Sequence, residues 1–135
     1  MNPGSGTLSA TLDLPSMGRS AAAARHLVAQ LLDAWAAEPF CDDATLLVSE
    51  LVSNVVRHVA GQLAMRIEVV LSGRSLRVAV VDSSAVLPGV ASGGPRGGHG
   101  LGLIAAVADR WGSEEYAGGK RVWFELGHAG PAEKA

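Results

Sequence analysis

A chain of 135 residues and 13.8 kDa fits one domain, and at that size folding buries roughly two-thirds of the unfolded surface, enough for a core without disulfide or zinc staples. Eleven Lys+Arg against 13 Asp+Glu, a formal charge of -2 and an isoelectric point near 6.0 argue against a general nucleic-acid binder, which needs a basic stripe to hold phosphates. The single cysteine, Cys41, excludes an internal disulfide and a multi-cysteine metal cage, reads as a small helix-entry residue, and suits a reducing compartment.

Mean hydropathy is +0.25, yet the apolar content is largely Ala and Val, and no run approaches the ~18 apolar residues of a membrane span. The first ten residues lack the basic start and apolar stretch of a secretion signal. The expectation is a cytoplasmic protein, with no membrane and no direct nucleic-acid contact, whose partners are proteins or small molecules.

No internal repeat is present. Residues 1–6 and 128–135 carry too little apolar surface to offset ordering entropy and read as flexible tails around a single domain spanning 7–127. Thr7–Leu14 alternates, with Leu8, Ala10, Leu12 and Leu14 on one face, and predicts a strand ended by Pro15. Ser16 can cap a first helix, which carries Ala22, Leu27, Val28, Leu31, Leu32 and Trp35 at near-helical spacing until Pro39 stops it. Asp42 and Asp43 complement the dipole of a second helix, which holds Leu46, Leu47, Leu51, Val52, Val55, Val56 and Val59 and ends at Gly61. Two strands follow, Leu63–Leu71 and Ser75–Val81, joined by the hairpin chemistry of Ser72-Gly73-Arg74. Residues 83–98, rich in Ser, Pro and Gly, read as a loop, and a loop that long inside a small domain is usually functional. His99–Arg110 reads as a third helix, and Trp111–Tyr116 with Arg121–Leu126 as a hairpin across residues 117–120. Early helices and late antiparallel strands predict an α+β protein with helices covering one face of the sheet. Trp35, Trp111 and Trp123 read as core or interface packing.

Three constellations carry chemical content. Glu50, Asn54 and His58 recur at i, i+4 and i+8 on the second helix, with Arg57 beside them, and form a polar line along an otherwise apolar helix. A solvated helix face explains that line unless Asn54 is weighed: mid-helix Asn has mediocre propensity, whereas a carboxylate and an amide one turn apart suit a hard cation with phosphate ligands and an ordered water. His58 taken alone reads as a structural hydrogen-bonder. Gly98-His99-Gly100-Leu101-Gly102-Leu103 opens the third helix, and its glycines either form a hinge or let backbone amides approach phosphate oxygens at a helix N-terminus. Strict Walker and dinucleotide patterns are absent. Arg96, just upstream, is either a cation that closes over a terminal phosphate or a solvated loop charge. Asp82 ends the strand Leu76–Val81; a carboxylate there starts a turn or accepts a hydrogen bond from an exocyclic amine such as that of adenine.

Taken together and in this order, the three sets resemble the GHKL ATPase superfamily, and in particular its small stand-alone anti-sigma-factor (switch-protein) serine kinases. Glu50-Leu51-Val52-Ser53-Asn54-Val55-Val56-Arg57-His58 resembles the N box, Asp82 the G1 box and Gly98–Leu103 the G2 box. Ala108-Asp109-Arg110-Trp111-Gly112 and Gly118–Leu126 resemble the short single-domain branch, so the likeness covers roughly Leu8 to Leu126.

The resemblance implies a two-layer α/β sandwich with a mixed, mostly antiparallel sheet, covered on one face by helices, and ATP with Mg²⁺ as cofactors. It implies that Asn54 binds Mg²⁺ bridging the phosphates and that Glu50 is general base toward a serine hydroxyl of the partner. Arg96 would neutralise the transferring γ-phosphate. Asp82 would read the adenine amino group, while Gly98, Gly100 and Gly102 cradle phosphates; Arg57, His58, Ser84, His99, Leu101 and Leu103 complete the expected ATP site. The G1 pattern Asp-x-Gly-x-Gly reads here Asp82-Ser83-Ser84-Ala85-Val86, so Ser84 either crowds the adenine or adds a polar contact. The implied function is an ATP-binding kinase that sequesters a sigma factor and phosphorylates a serine on an anti-sigma antagonist, working as a homodimer. The alternative is a catalytically inactive binding module of the same fold, which the altered G1 box favours. A third reading, the catalytic half of a histidine kinase, lacks a helical hairpin bearing an acceptor histidine.

Overall fold

Alternation builds the sheet and helical spacing covers it. In a computed structural model, which describes residues 6–58, 64–82, 99–116 and 118–127, the elements follow in the order β1 (Thr7–Pro15), α1 (Ser20–Ala34), a 3₁₀ turn (Glu38–Phe40), α2 (Cys41–His58), β2 (Ala64–Ser72), β3 (Ser75–Asp82), α3 (His99–Val107), β4 (Arg110–Tyr116) and β5 (Gly119–Leu126). The five strands form one sheet in the order β1-β2-β3-β5-β4. All four pairings are antiparallel, so the parallel component of the mixed sheet expected above does not occur between hydrogen-bonded neighbours among the described strands. β3 and β4 do run in the same direction, because β5 separates them and α3 carries the chain across.

One sheet face is apolar. Met65, Ile67 and Val69 of β2, Leu76, Val78 and Val80 of β3, and Val122, Phe124 and Leu126 of β5 are buried at alternate positions. They join Val28 and Leu32 of α1, Leu47, Val48, Leu51, Val52 and Val55 of α2, and Leu101 and Ile104 of α3 in one cluster. Burying each of the larger side chains contributes about 1.5–3 kcal/mol, so this cluster holds the two layers together.

The opposite face carries ion pairs laid over aromatic rings. Glu125 binds Arg110 (Nε to Oε1, 2.8 Å) and Arg77 (Nη1 to Oε2, 3.4 Å), and the Arg77 guanidinium stacks 4.3 Å from the Trp123 ring centre. Arg121 bridges Glu68 at 3.2 Å and Glu114 at 2.7 Å and lies 3.6 Å over Tyr116. Burial lowers the Arg121 pKa, but the Glu114 hydrogen bond and the charge of Glu68 outweigh it and the net direction is up.

Local chemistry moves several expected boundaries. The first helix does not start from a Ser16 cap: Arg19 stands at the N-cap without a side-chain bond, and residues 16–19 turn so that the Ser20 amide donates to Met17 (2.9 Å). The Ser20 hydroxyl instead donates to the Pro15 carbonyl, tying the helix start to the end of β1. Pro15 itself stays in β1, opposite Ala64, which an edge strand permits. The third helix ends at Val107 rather than Arg110, because the Asp109 amide donates to the Glu125 carbonyl (2.9 Å) and the Asp109 carboxylate accepts the Gly127 amide (2.6 Å). β5 begins at Gly119 rather than Arg121, so Lys120 is a strand residue and not part of a turn. The expected helix end at Gly61, the strand start at Leu63 and the loop 83–98 lie outside the described residues.

Candidate functional site

α2 is the element around which the site is built. Asp42 and Asp43 stand in its first turn, favourably placed for the helix dipole, and its apolar stripe locks it onto the sheet. It packs on β3 and on α3, so one helix joins the strand that ends in Asp82 to the helix that opens with the glycine run. Beside the stripe, Glu50 is half-buried and Asn54 is only 9% exposed. No side-chain hydrogen bond among the described residues involves the Asn54 amide. Its amide atoms are not closed off from water, so the group stands open to a ligand rather than tied into the core. Arg57 is exposed one turn beyond Ser53, and His58 occupies the last described position of α2.

α3 begins at His99, inside the glycine run, so its free N-terminal amides belong to that run. Gly102 is exposed, and a Cβ built there meets nothing within 4 Å. Packing among the described residues therefore gives no reason for glycine at 102, although it is about 1 kcal/mol poorer than alanine in a helix. The open backbone suits a ligand that comes close to it. Leu101 is buried in the core, leaving only its backbone for such a ligand, and Leu103 is half-buried against the same core. His99 and Gly100 are described by their place in α3, while Ser84, Arg96 and Gly98 lie outside the described residues.

Asp82 closes β3 on the helix-covered side of the sheet, in phase with Val78 and Val80. Directly opposite, on β5, is Lys120, in phase with Val122 and Phe124. Lys120 Nζ lies 3.5 Å from Asp82 Oδ2, and the two side chains are 6% and 2% exposed. Sequence reasoning singled out Asp82 and passed over Lys120. The signal was the alternation Lys120, Val122, Phe124, Leu126, which puts the lysine on the core face once the strand is extended by two residues.

The donor set fits a nucleotide carried with its cation. Among the described residues no three of His, Cys, Asp and Glu gather closely enough to hold a metal by themselves. The Asn54 amide oxygen suits Mg²⁺, which takes one or two protein ligands together with phosphate oxygens and water, and leaves the Glu50 carboxylate one turn away for proton transfer.

Residues 14–126 match the family described as histidine kinase-like ATPase domain. The chain belongs to that family. No curated protein matches the sequence. A similar solved structure is the crystal structure of the RsbU and RsbW domains of Rv1364c from Mycobacterium tuberculosis, with a TM-score of 0.68 at 18% identity, over 88% of this chain and 32% of that one. This chain thus spans about a third of that protein, and at this identity the likeness is one of fold. The five-stranded sheet with helices on one face is the GHKL ATPase fold that the sequence motifs imply. No helix among the described residues is long and apolar enough to cross a membrane.

Proposed function

We propose that this histidine kinase-like ATPase domain binds ATP with Mg²⁺ and works as a switch-protein serine kinase. It would phosphorylate a serine of an anti-sigma antagonist, sequester a sigma factor, and act in the cytoplasm as a homodimer. The observation that carries the reading is Asn54: an amide with no hydrogen bond among the described residues, one helical turn from Glu50, on the helix that packs against both β3 and α3. The N-box, G1 and G2 motifs and the RsbW domain in the similar structure supply the kinase and anti-sigma part of the reading.

In this reading Asn54 Oδ1 takes one position on the cation, which shields the charge of the transferring phosphoryl group when bound. Asp82 accepts the exocyclic amine of adenine. Backbone amides at the start of α3, with Gly102 keeping the approach clear, donate to phosphate oxygens. Glu50 accepts the proton of the partner's serine hydroxyl as that oxygen bonds to the γ-phosphorus; the bond from phosphorus to the bridging oxygen breaks, and ADP leaves with that electron pair. Arg96 neutralises charge on the γ-phosphoryl oxygens.

A second reading, a binding module without phosphoryl transfer, is favoured by the sequence Asp82-Ser83-Ser84 in place of a glycine-bearing G1 box. Calorimetric titration with Mg-ATP and with ADP, using Asp82→Asn as control, tests nucleotide binding. Binding in the micromolar range that the control weakens supports the proposal. Silence at millimolar nucleotide removes it and leaves the binding module. Transfer of labelled phosphate to an antagonist protein then separates kinase from module.

A further inference from the structure

Resting on the nucleotide reading above, we infer that Lys120 is the positioning residue for base recognition: through its buried ion pair it fixes the Asp82 carboxylate as the acceptor that selects a 6-amino purine. Three observations converge on it. The two residues are direct partners in the β3–β5 register, and both project to the helix-covered side. Their charged atoms lie 3.5 Å apart and both side chains are almost wholly buried. The pair also sits at the end of its two strands, beside the turn at Gly118, where a fold needing only stability would leave polar groups in water.

A buried ion pair is weak support for a fold, because the desolvation of two charges offsets much of their attraction, and apolar replacements of similar volume are often as stable. A functional reason is therefore required, and the position supplies one. A carboxylate accepts hydrogen bonds and does not donate, so it matches the 6-amino group of adenine and opposes the 6-oxo group of hypoxanthine or guanine. That discrimination needs the carboxylate held in one orientation. In sequence, Asp82 is followed by Ser83-Ser84 where the G1 pattern Asp-x-Gly has glycine. Lys120, anchored in a strand on the far side of β3 from β2, holds the carboxylate from a position independent of that segment.

The test is a comparison of Mg-ATP and Mg-ITP binding by calorimetry for the wild type, Lys120→Met, Lys120→Gln and Asp82→Asn, with Lys120→Met also placed in the Asp82→Asn background, and folding checked by thermal unfolding. Lys120→Gln keeps a hydrogen-bond donor without the charge and so serves where Lys120→Met does not fold. The expected result is a wild type that prefers ATP over ITP, a preference reduced about tenfold in the Lys120 variants, as for a site that loses one oriented charged hydrogen bond. In the Asp82→Asn background Lys120→Met should cause no further change in preference. Folded Lys120 variants that keep the wild-type preference overturn the inference and leave the nucleotide reading standing. An equal loss for ATP and ITP, or a loss that adds to that of Asp82→Asn, also overturns it, since Lys120 would then act as scaffold. A wild type that binds neither nucleotide overturns both readings.

Discussion

Trp123 lies across Gly112: a Cβ built at residue 112 would stand 2.8 Å from the Trp123 Cζ2 atom and 3.0 Å from Cε2. The two are direct cross-strand partners on β4 and β5, and the absence of a side chain on one makes room for the indole of the other. That seat brings the ring beneath the Arg77 guanidinium, whose own carboxylate partner is Glu125. Gly112→Ala should therefore push the indole off its seat and lower stability by about 1–2 kcal/mol, at the low end for overpacking because Trp123 is half-buried and has room to move. Urea unfolding monitored by tryptophan fluorescence measures this, and an unchanged midpoint would show that the ring needs no such seat.

The end of α1 predicts a gain. Ala36 has φ +56°, the one positive value outside glycine among the described residues, and the Ala37 amide donates to the Leu32 carbonyl at 2.8 Å, as in a helix ended by a left-handed residue. Alanine in that region carries a strain of about 1–2 kcal/mol, partly offset by the smaller entropy of its unfolded state. Ala36→Gly should raise stability by about 0.5–1 kcal/mol in thermal unfolding.

Gly127 is the opposite case. Its φ is +65°, and a Cβ would meet Phe40 Cε1 at 2.5 Å and the Arg74 carbonyl oxygen at 2.7 Å. Gly127→Ala combines left-handed strain with a collision against backbone and should destabilise by about 2–4 kcal/mol in the same assay.

Asn54 sets stability against function. Asn54→Leu replaces a mid-helix amide that makes no side-chain hydrogen bond among the described residues by a better helix former of similar size, so the nucleotide-free protein should keep its stability or gain up to about 0.5 kcal/mol. The same variant should lose Mg-ATP binding in calorimetry. A variant that is destabilised would show that the amide serves the fold.

Glu50 tests the chemistry. Glu50→Ala should abolish phosphate transfer to the antagonist while nucleotide binding persists, because a general base acts on the hydroxyl and not on the bound phosphates. Transfer at an undiminished rate would remove Glu50 from that role.

How far the sequence could be read depended on whether the deciding contact was local. The hairpin between β2 and β3 was legible because Gly73, with φ +62°, lies between two alternating runs, and α2 was legible from its stripe and its first-turn acids. Glu50 and Asn54 could be placed on one helix face because helical spacing alone fixes that relation. The start of α1 was not legible, since the hydroxyl that matters is that of Ser20 and its acceptor is the Pro15 carbonyl in β1. The end of α3 was equally hidden: Asp109 continues a helical pattern until the amide of Gly127 claims its carboxylate. Lys120 escaped notice because a charged residue after two glycines reads as a turn, and the carboxylate that draws it inward belongs to another strand.

The strand order has a consequence for how the chain is made. Among the described strands β4 hydrogen-bonds to β5 alone, and β5 fills the place beside β3 although it follows β4 in sequence. A nascent chain that has emerged only as far as β4 therefore exposes the edge of β3 and carries β4 as a strand without a mate. Open edges of that kind recruit strands from other chains. The sheet is completed only when residues 119–126 leave the ribosome, so synthesis stalled just short of them should yield a product prone to self-association, while one stalled beyond them should not.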